Sequence, residues 1–371
     1  MSKSDEMRNV AHADQNMRQT AGDLQTLTWR SPTEPPFRLH GFPWYATDRV
    51  FRRLPIEPPS PVRDALDRLS NCTAGGQIHF QTDSRLVGVR VQLSAPATMD
   101  HMTTVAECGF DAYFARPDAF GQLRFLGVTR IPRDAVSFEK AFLKFDSREM
   151  RRVVLNFPLY QGVREILVGV EPDAEIQPPP PLARAGRVVC YGTSIVQGGC
   201  ACRPGMNYPN ILSRRFNMEF INMGFSGNAR GDLSIAEAIA TIPDPACVLL
   251  DYEANCKERA WLTDTLRPFI GILRGAHSTV PILVLSRIPF PRILFRESDR
   301  IEKDARRDFI AQTVSDLREE GDPNVHFLDG GALLGEADWD ECTVDGLHPT
   351  DLGFMRMADR LEPVMRTLLR A

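Results

Sequence analysis

Near the end of the chain an acid precedes a histidine by three positions, in Asp345-Gly346-Leu347-His348-Pro349. Far upstream, Val188-Val189-Cys190-Tyr191-Gly192-Thr193-Ser194 places a serine just after a short apolar run. A serine hydroxyl is a weak nucleophile at neutral pH and needs a base. A histidine can be that base, and an acid can hold its ring and stabilise the imidazolium. Ser194, His348 and Asp345 therefore form a candidate Ser-His-Asp set for acyl transfer. Acyl transfer also needs donors aimed at the oxygen that becomes negative. Gly227, in Gly224-Phe225-Ser226-Gly227-Asn228, can present a backbone N–H with no side chain in the way. Asn255, in Asp251-Tyr252-Glu253-Ala254-Asn255, can offer a side-chain amide. The N–H of Ser194 itself would be the third donor. Read singly, each residue has an ordinary structural role: a serine caps a helix, and an aspartate before glycine makes a turn. The weight lies in the set.

These residues need elements to bring them together. After residue 182, apolar strands expected at 187–191, 220–223, 247–252, 282–286 and 325–328 alternate with helical stretches at 207–216, 233–241, 258–273, 298–320 and 351–369. Strand–helix alternation implies a parallel sheet covered on both faces. Ligands bind such sheets beyond the carboxyl ends of the strands. Ser194, Gly227 and Asn255 each fall just after an expected strand.

The half before it has a different pattern. Val87, Val89, Val91 and Leu93 alternate with polar residues or glycine, the period of a half-buried strand. Further strands are expected at 77–82, 110–115, 123–128, 141–145, 152–157 and 164–170. Short strands at this spacing suggest a β-sandwich of jelly-roll type. The run Gln177-Pro178-Pro179-Pro180-Pro181 is extended and marks the boundary. The expected division is an N-terminal arm and extended segment at 1–57, a β-sandwich at 58–175 and an α/β domain with a flavodoxin-like parallel sheet at 182–371. Residues up to about 28 read as a flexible or weakly helical arm, and 29–61 as too rich in proline for a helix. Trp44 and Tyr45 are expected to pack on the β-sandwich, and Phe138, Phe142 and Phe145 to belong to its core.

As a set, Gly192-Thr193-Ser194, Asn222-Met223-Gly224-Phe225-Ser226-Gly227, Asn255 and Asp345-Gly346-Leu347-His348 resemble, in type and order, the sequence blocks of the SGNH, or GDSL-like, hydrolases. The resemblance covers roughly 187–369. It implies Ser194 as nucleophile, His348 as base, Asp345 as its orienting acid, and the N–H groups of Ser194 and Gly227 with the Asn255 amide as oxyanion hole. It departs at Thr193, where the family usually carries aspartate, and at Cys256, where aspartate or proline often follows the asparagine. Gly109-Phe110-Asp111-Ala112-Tyr113 resembles, with alanine for leucine, the Gly-x-Asp-Leu-Tyr domain that precedes one group of these enzymes. The likeness implies hydrolysis of short-chain esters, such as acetylated carbohydrates or aryl esters, with no metal or organic cofactor. It leaves open an acyltransferase using the same residues, or a carbohydrate-binding protein whose hydrolase part is inactive.

Bulk composition fits this reading. The chain has 371 residues, 43% hydrophobic and 25% charged, with a formal net charge of -4. These are values of an ordinary globular protein. No basic stripe points to nucleic acid, and no apolar stretch reaches the length of a membrane span. Residues 1–27 lack the apolar core of a secretory signal, so a cytoplasmic location is expected. The eight cysteines form no C-x-x-C pair, and no histidine beside Cys200-Ala201-Cys202 completes a zinc set. Free strand edges in the β half leave pairing between subunits open.

Overall fold

The computed structural model describes residues 24–119, 121–142 and 144–370. Most of the expected N-terminal arm lies outside these residues. No helix among them is long and apolar enough to cross a membrane.

The first half builds two antiparallel sheets from ten strands: β1 (Thr28–Arg30), β2 (Arg38–His40), β3 (Gln77–Thr82), β4 (Val87–Leu93), β5 (Asp111–Ala115), β6 (Arg124–Val128), β7 (Ser137–Ala141), β8 (Arg151–Asn156), β9 (Val163–Val170) and β10 (Ile176–Gln177). One sheet runs β1-β9-β4-β7, and the other runs β10-β3-β8-β5-β6 with β2 also paired to β3. The alternation read in β4 is real: Val87, Val89, Val91 and Leu93 enter a core shared with Ile78, Phe80, Val153 and Leu155 of the facing sheet. Phe142 is buried in that core, and Phe138 and Phe145 pack against it.

Four expectations change here. The segment before residue 57 is not merely laid along the surface, since β1 and β2 join the two sheets. It also contains one helical turn, Tyr45–Asp48. The strand expected at 141–145 lies at Ser137–Ala141. It is a half-exposed edge carrying Glu139 and Lys140, so its apolar signal is weak, and its register is set by pairing Gly88 with Ala141. Trp44 turns away from the sandwich: it packs against the core of the second half and donates to the Thr241 hydroxyl at 3.3 Å. Tyr45 does pack on the sandwich, stacking on Phe51. The proline run is extended, yet Ile176 and Gln177 pair with β3 before it leaves.

The second half holds a five-stranded parallel sheet: β11 (Arg187–Gly192), β12 (Glu219–Gly224), β13 (Pro245–Asp251), β14 (Ile282–Leu285) and β15 (Val325–Leu328). The strand order is β12-β11-β13-β14-β15, which is the doubly wound order 2-1-3-4-5. Successive residues of each strand serve opposite faces, so both must be apolar. Val188 and Cys190 pack under helices Tyr208–Phe216 and Asp351–Leu368. Val189 and Tyr191 pack under helices Leu233–Ala240, Leu266–Ala276 and Glu297–Glu319. The single helix expected at 258–273 is two, Arg259–Thr263 and Leu266–Ala276. Pro268 explains the break, because its ring clashes with the carbonyl four residues earlier, at Asp264.

Candidate active site

Each site residue expected from the sequence lies beyond the carboxyl end of a parallel strand or in the loop before the last helix. β11 ends at Gly192 and the chain turns into the short helix Ser194–Gln197. Thr193 caps that helix, its hydroxyl accepting from the Ile195 N–H at 3.2 Å. A threonine cap does here what aspartate could do, so the departure at this position keeps the turn. Ser194 stands at the first position with its side chain facing the cavity described below.

The Asp345–His348 segment is a turn closed on itself. The Asp345 carboxylate accepts from the Leu347 N–H at 3.0 Å and from the His348 N–H at 2.8 Å. Its other oxygen accepts from His348 Nδ1 at 2.7 Å. Burial pushes the Asp345 carboxyl up, but these bonds and the facing imidazole outweigh it and hold the group below its usual range. The donated Nδ1 proton leaves the Nε2 lone pair available, and Nε2 lies 2.8 Å from Ser194 Oγ. Ser194, His348 and Asp345 are thus joined in one hydrogen-bonded chain, although the serine and histidine come from distant parts of the sequence.

The donors expected for the oxyanion meet at the same place. Ser194, Gly227, Asn255 and His348 line one cavity of about 250 Å³. Gly227 has φ +66, and nothing lies within 4 Å of where a Cβ would stand. The left-handed backbone is what calls for glycine here. Asn255 donates one amide hydrogen to the Phe225 carbonyl at 3.3 Å, which fixes the amide plane. An arrangement of base-linked hydroxyl and convergent N–H donors can add a nucleophile to a carbonyl and hold the resulting oxyanion.

Several further residues stand around the site. His101, from the β half, has its ring centre 6.0 Å from that of His348. Gly199 sits close against the imidazole: a Cβ there would come within 3.1 Å of His348 Cδ2. Among the described residues one group offers metal-ligand atoms within 4.8 Å of one another: His101, Cys200, Asp345 and His348. The last two are already bonded to each other, so a cation there would compete with the serine for the imidazole. Cys256 is buried in the core, its thiol pushed up to about 12 by burial. Arg287, just past β14, also lines the cavity. The strand-end rule that singled out Ser194, Gly227 and Asn255 would have found it.

Arg53 is the least expected support. It is fully buried and comes from the N-terminal segment. It donates to the carbonyls of Cys72 and Leu69, each at 2.7 Å, and to that of Gly224 at the end of β12. Burial lowers its pKa to about 10, so it stays charged at neutral pH. Arg63 grips the next stretch of the Gly227 loop, donating to the Asn228 carbonyl at 2.7 Å and pairing with Asp232.

A family model described as GDSL-like lipase/acylhydrolase matches residues 185–366. A model for the N-terminus of SGNH-hydrolase-type esterases matches residues 27–176. A Bacteroides ovatus protein described as a GDSL-like lipase is 30% identical, with a TM-score of 0.82 over 93% of this chain and 98% of that one. A salicylyl-acyltransferase from a tetracycline biosynthetic pathway is 19% identical, with a TM-score of 0.70 over 93% of this chain and 98% of its own. A family two carbohydrate esterase from Clostridium thermocellum, solved with cellohexaose, is 14% identical, with a TM-score of 0.57 over 80% and 93%. At these identities the last two share the fold alone. No curated protein matches the chain.

Proposed function

The chain belongs to the GDSL-like lipase/acylhydrolase family and carries the N-terminal domain of SGNH-type esterases, and from that premise we propose that it is a serine esterase acting on short-chain carboxylic esters through Ser194, His348 and Asp345. The observation that carries this reading is the unbroken chain from Ser194 Oγ to His348 Nε2 at 2.8 Å and from His348 Nδ1 to Asp345 at 2.7 Å. In the first half-reaction, His348 Nε2 takes the hydroxyl proton as Oγ bonds to the ester carbonyl carbon. The carbonyl oxygen becomes an oxyanion held by the N–H groups of Ser194 and Gly227 and by the Asn255 amide. The carbon–alkoxide bond then breaks, and the alcohol leaves with the proton from His348. In the second, water gives a proton to His348 as it attacks the acyl-enzyme, and Ser194 departs protonated, releasing the carboxylic acid.

The cavity of about 250 Å³ suits a small acyl group, so acetyl esters of carbohydrates or of aryl alcohols are the proposed substrates. We read the two antiparallel sheets as a jelly-roll-like scaffold that supports the site, with the sandwich and the hydrolase meeting across the proline run. The test is a panel of acetyl, butyryl and octanoyl esters on wild type and Ser194→Ala, with fluorophosphonate labelling. Hydrolysis favouring acetyl, lost in Ser194→Ala, together with label on Ser194, is the expected result. Absence of both turnover and label would sink the esterase reading, while ester exchange onto an added alcohol in place of hydrolysis would turn it into acyl transfer.

A further inference from the structure

Acyl transfer uses the serine, the imidazole and the oxyanion donors, and leaves one charged group in the cavity without a task. Arg287 lines it beside Ser194, Gly227, Asn255 and His348. Its backbone N–H donates to Glu253 at 2.7 Å, but its side chain does not follow. The Nε is buried and has no hydrogen-bond partner among the described residues. The guanidinium lies over the Phe290 ring, 3.9 Å from its centre. Glu253 is the acid whose charge acts most on the guanidinium, yet no ion pair within 4 Å joins the two side chains, and the Glu253 oxygen not taken by the Arg287 N–H faces Arg306 at 4.0 Å.

Arginines that serve structure in this protein look different. Arg53 spends its guanidinium on the Cys72, Leu69 and Gly224 carbonyls. Arg306 spends its own on the carbonyls of Cys256 and Lys257. Arg287 is spent on none. A buried donor without a partner is costly and calls for one. Among the described residues no acidic side chain lines the cavity, and the one permanent formal charge they bring to it is positive. A guanidinium fork braced on an aromatic face suits a planar anionic oxygen group.

Resting on the esterase reading above, we infer that Arg287 binds an anionic oxygen group carried by the substrate, so that the preferred substrate is an acidic ester. With a short acyl chain the acid group sits on the alcohol, as on an acetylated sugar acid or an acetylated hydroxybenzoate. Arg287 is then a specificity residue that draws in and orients the ester without taking part in bond making.

The experiment compares kcat/KM within matched pairs, after subtraction of the uncatalysed rate. 3-Acetoxybenzoate against its methyl ester places the charge on the alcohol. 4-Nitrophenyl hydrogen succinate against 4-nitrophenyl methyl succinate places it on the acyl group. A charge-assisted hydrogen bond predicts that wild type favours the acid of the first pair by about 10- to 100-fold. Arg287→Gln should abolish most of that ratio and Arg287→Lys retain part of it. Arg292→Gln, which removes an exposed charge paired with Asp299, should leave the ratio alone. A preference confined to the succinate pair would place the anion on the acyl side and overturn the assignment to the alcohol. No acid preference in either pair, or a preference that survives Arg287→Gln, would overturn the inference, and the wild-type ratios decide the first point even if the variants do not fold. Turnover of the neutral methyl esters that depends on Ser194 checks the esterase reading separately: its absence would defeat that reading, whatever the ratios.

Discussion

Asn255 commits one amide hydrogen to the Phe225 carbonyl at 3.3 Å and has a second to give. If that second hydrogen holds the oxyanion, Asn255→Ala should lower kcat on 4-nitrophenyl acetate by roughly a hundred- to a thousand-fold. The lost bond to Phe225 should cost only about 1 kcal/mol of stability. A wild-type rate in the purified variant would remove Asn255 from the oxyanion hole. Beneath the serine turn, Asp251 raises a different question. Its backbone carbonyl accepts from the Thr193 N–H at 3.2 Å, and its carboxyl accepts from the Tyr208 hydroxyl at 3.1 Å. Burial pushes this carboxyl from 3.8 up to about 7, with the Glu253 charge adding to the rise. The folded state therefore holds a proton that the unfolded chain releases near pH 4. That contribution to stability is complete below pH 4 and is lost as the pH rises through about 7. Its full size is on the order of 4 kcal/mol. Asp251→Asn should flatten the fall of Tm between pH 5 and pH 8 and raise Tm at pH 8. Parallel curves for the two proteins would mean that the carboxyl ionises in the fold without penalty.

Elements rather than single residues decide whether the donors stay in place. The end of β12 leads into the Gly227 loop, and Arg53 holds the Gly224 carbonyl at that end. Arg53→Met keeps most of the bulk but strands the carbonyls of Leu69, Cys72 and Gly224. Each unpaired buried group costs about 1–3 kcal/mol, partly offset by removing a buried charge. The variant should lose about 3 kcal/mol or more, read from the urea midpoint. An unchanged midpoint would show that these carbonyls find other partners. This clamp was not legible in the sequence, whereas the elements it joins largely were. β11 to β14 are largely buried on both faces, so they read as near-continuous apolar runs, whereas β15 at the sheet edge is only partly buried, and the helices between the strands carry one apolar side. The sandwich strand at Ser137–Ala141 was misread because an exposed edge shows little contrast between its faces. Within the site, Ser194, Gly227 and Asn255 were found by their place after strands, and Asp345 and His348 by their spacing. His101 and Arg53 were not, because what makes them part of the site is the docking of the first half onto the second, and no local pattern encodes that contact.

At the scale of the whole molecule, that docking runs through the motif Gly109-Phe110-Asp111-Ala112-Tyr113 on β5. Asp111 is fully buried. One carboxylate oxygen accepts from Arg203 and from the Gly205 N–H, both at 2.8 Å, and the other from the Asn156 amide at 2.7 Å. Arg203 lies over the Phe125 ring, 3.8 Å from its centre, and Arg214 over the Tyr113 ring at 4.0 Å. Arg203 and Gly205 continue the loop whose Gly199 backs the His348 ring. The same loop is held from the sandwich side by Thr103, whose hydroxyl donates to the Cys202 carbonyl at 2.6 Å. The first half thus grips the loop that backs the His348 ring, and the substitution of leucine by Ala112 leaves the two gripping residues of the motif in place. Asp111→Ala would take the acceptor from the buried Gly205 N–H and from the Asn156 amide, and would leave the partly buried Arg203 with the Tyr113 hydroxyl alone. Breaking a buried pair in this way costs about 3–5 kcal/mol. If the sandwich only covers apolar surface, that loss should appear in Tm while kcat, measured well below the melting range, stays at the wild-type value. If it braces the imidazole, kcat should fall as well, by about tenfold or more, because an imidazole displaced by a fraction of an ångström transfers its proton poorly. Asp118→Ala, at an exposed position of the same half, should change neither. A fall in Tm with an unchanged kcat would reduce the sandwich to a cover.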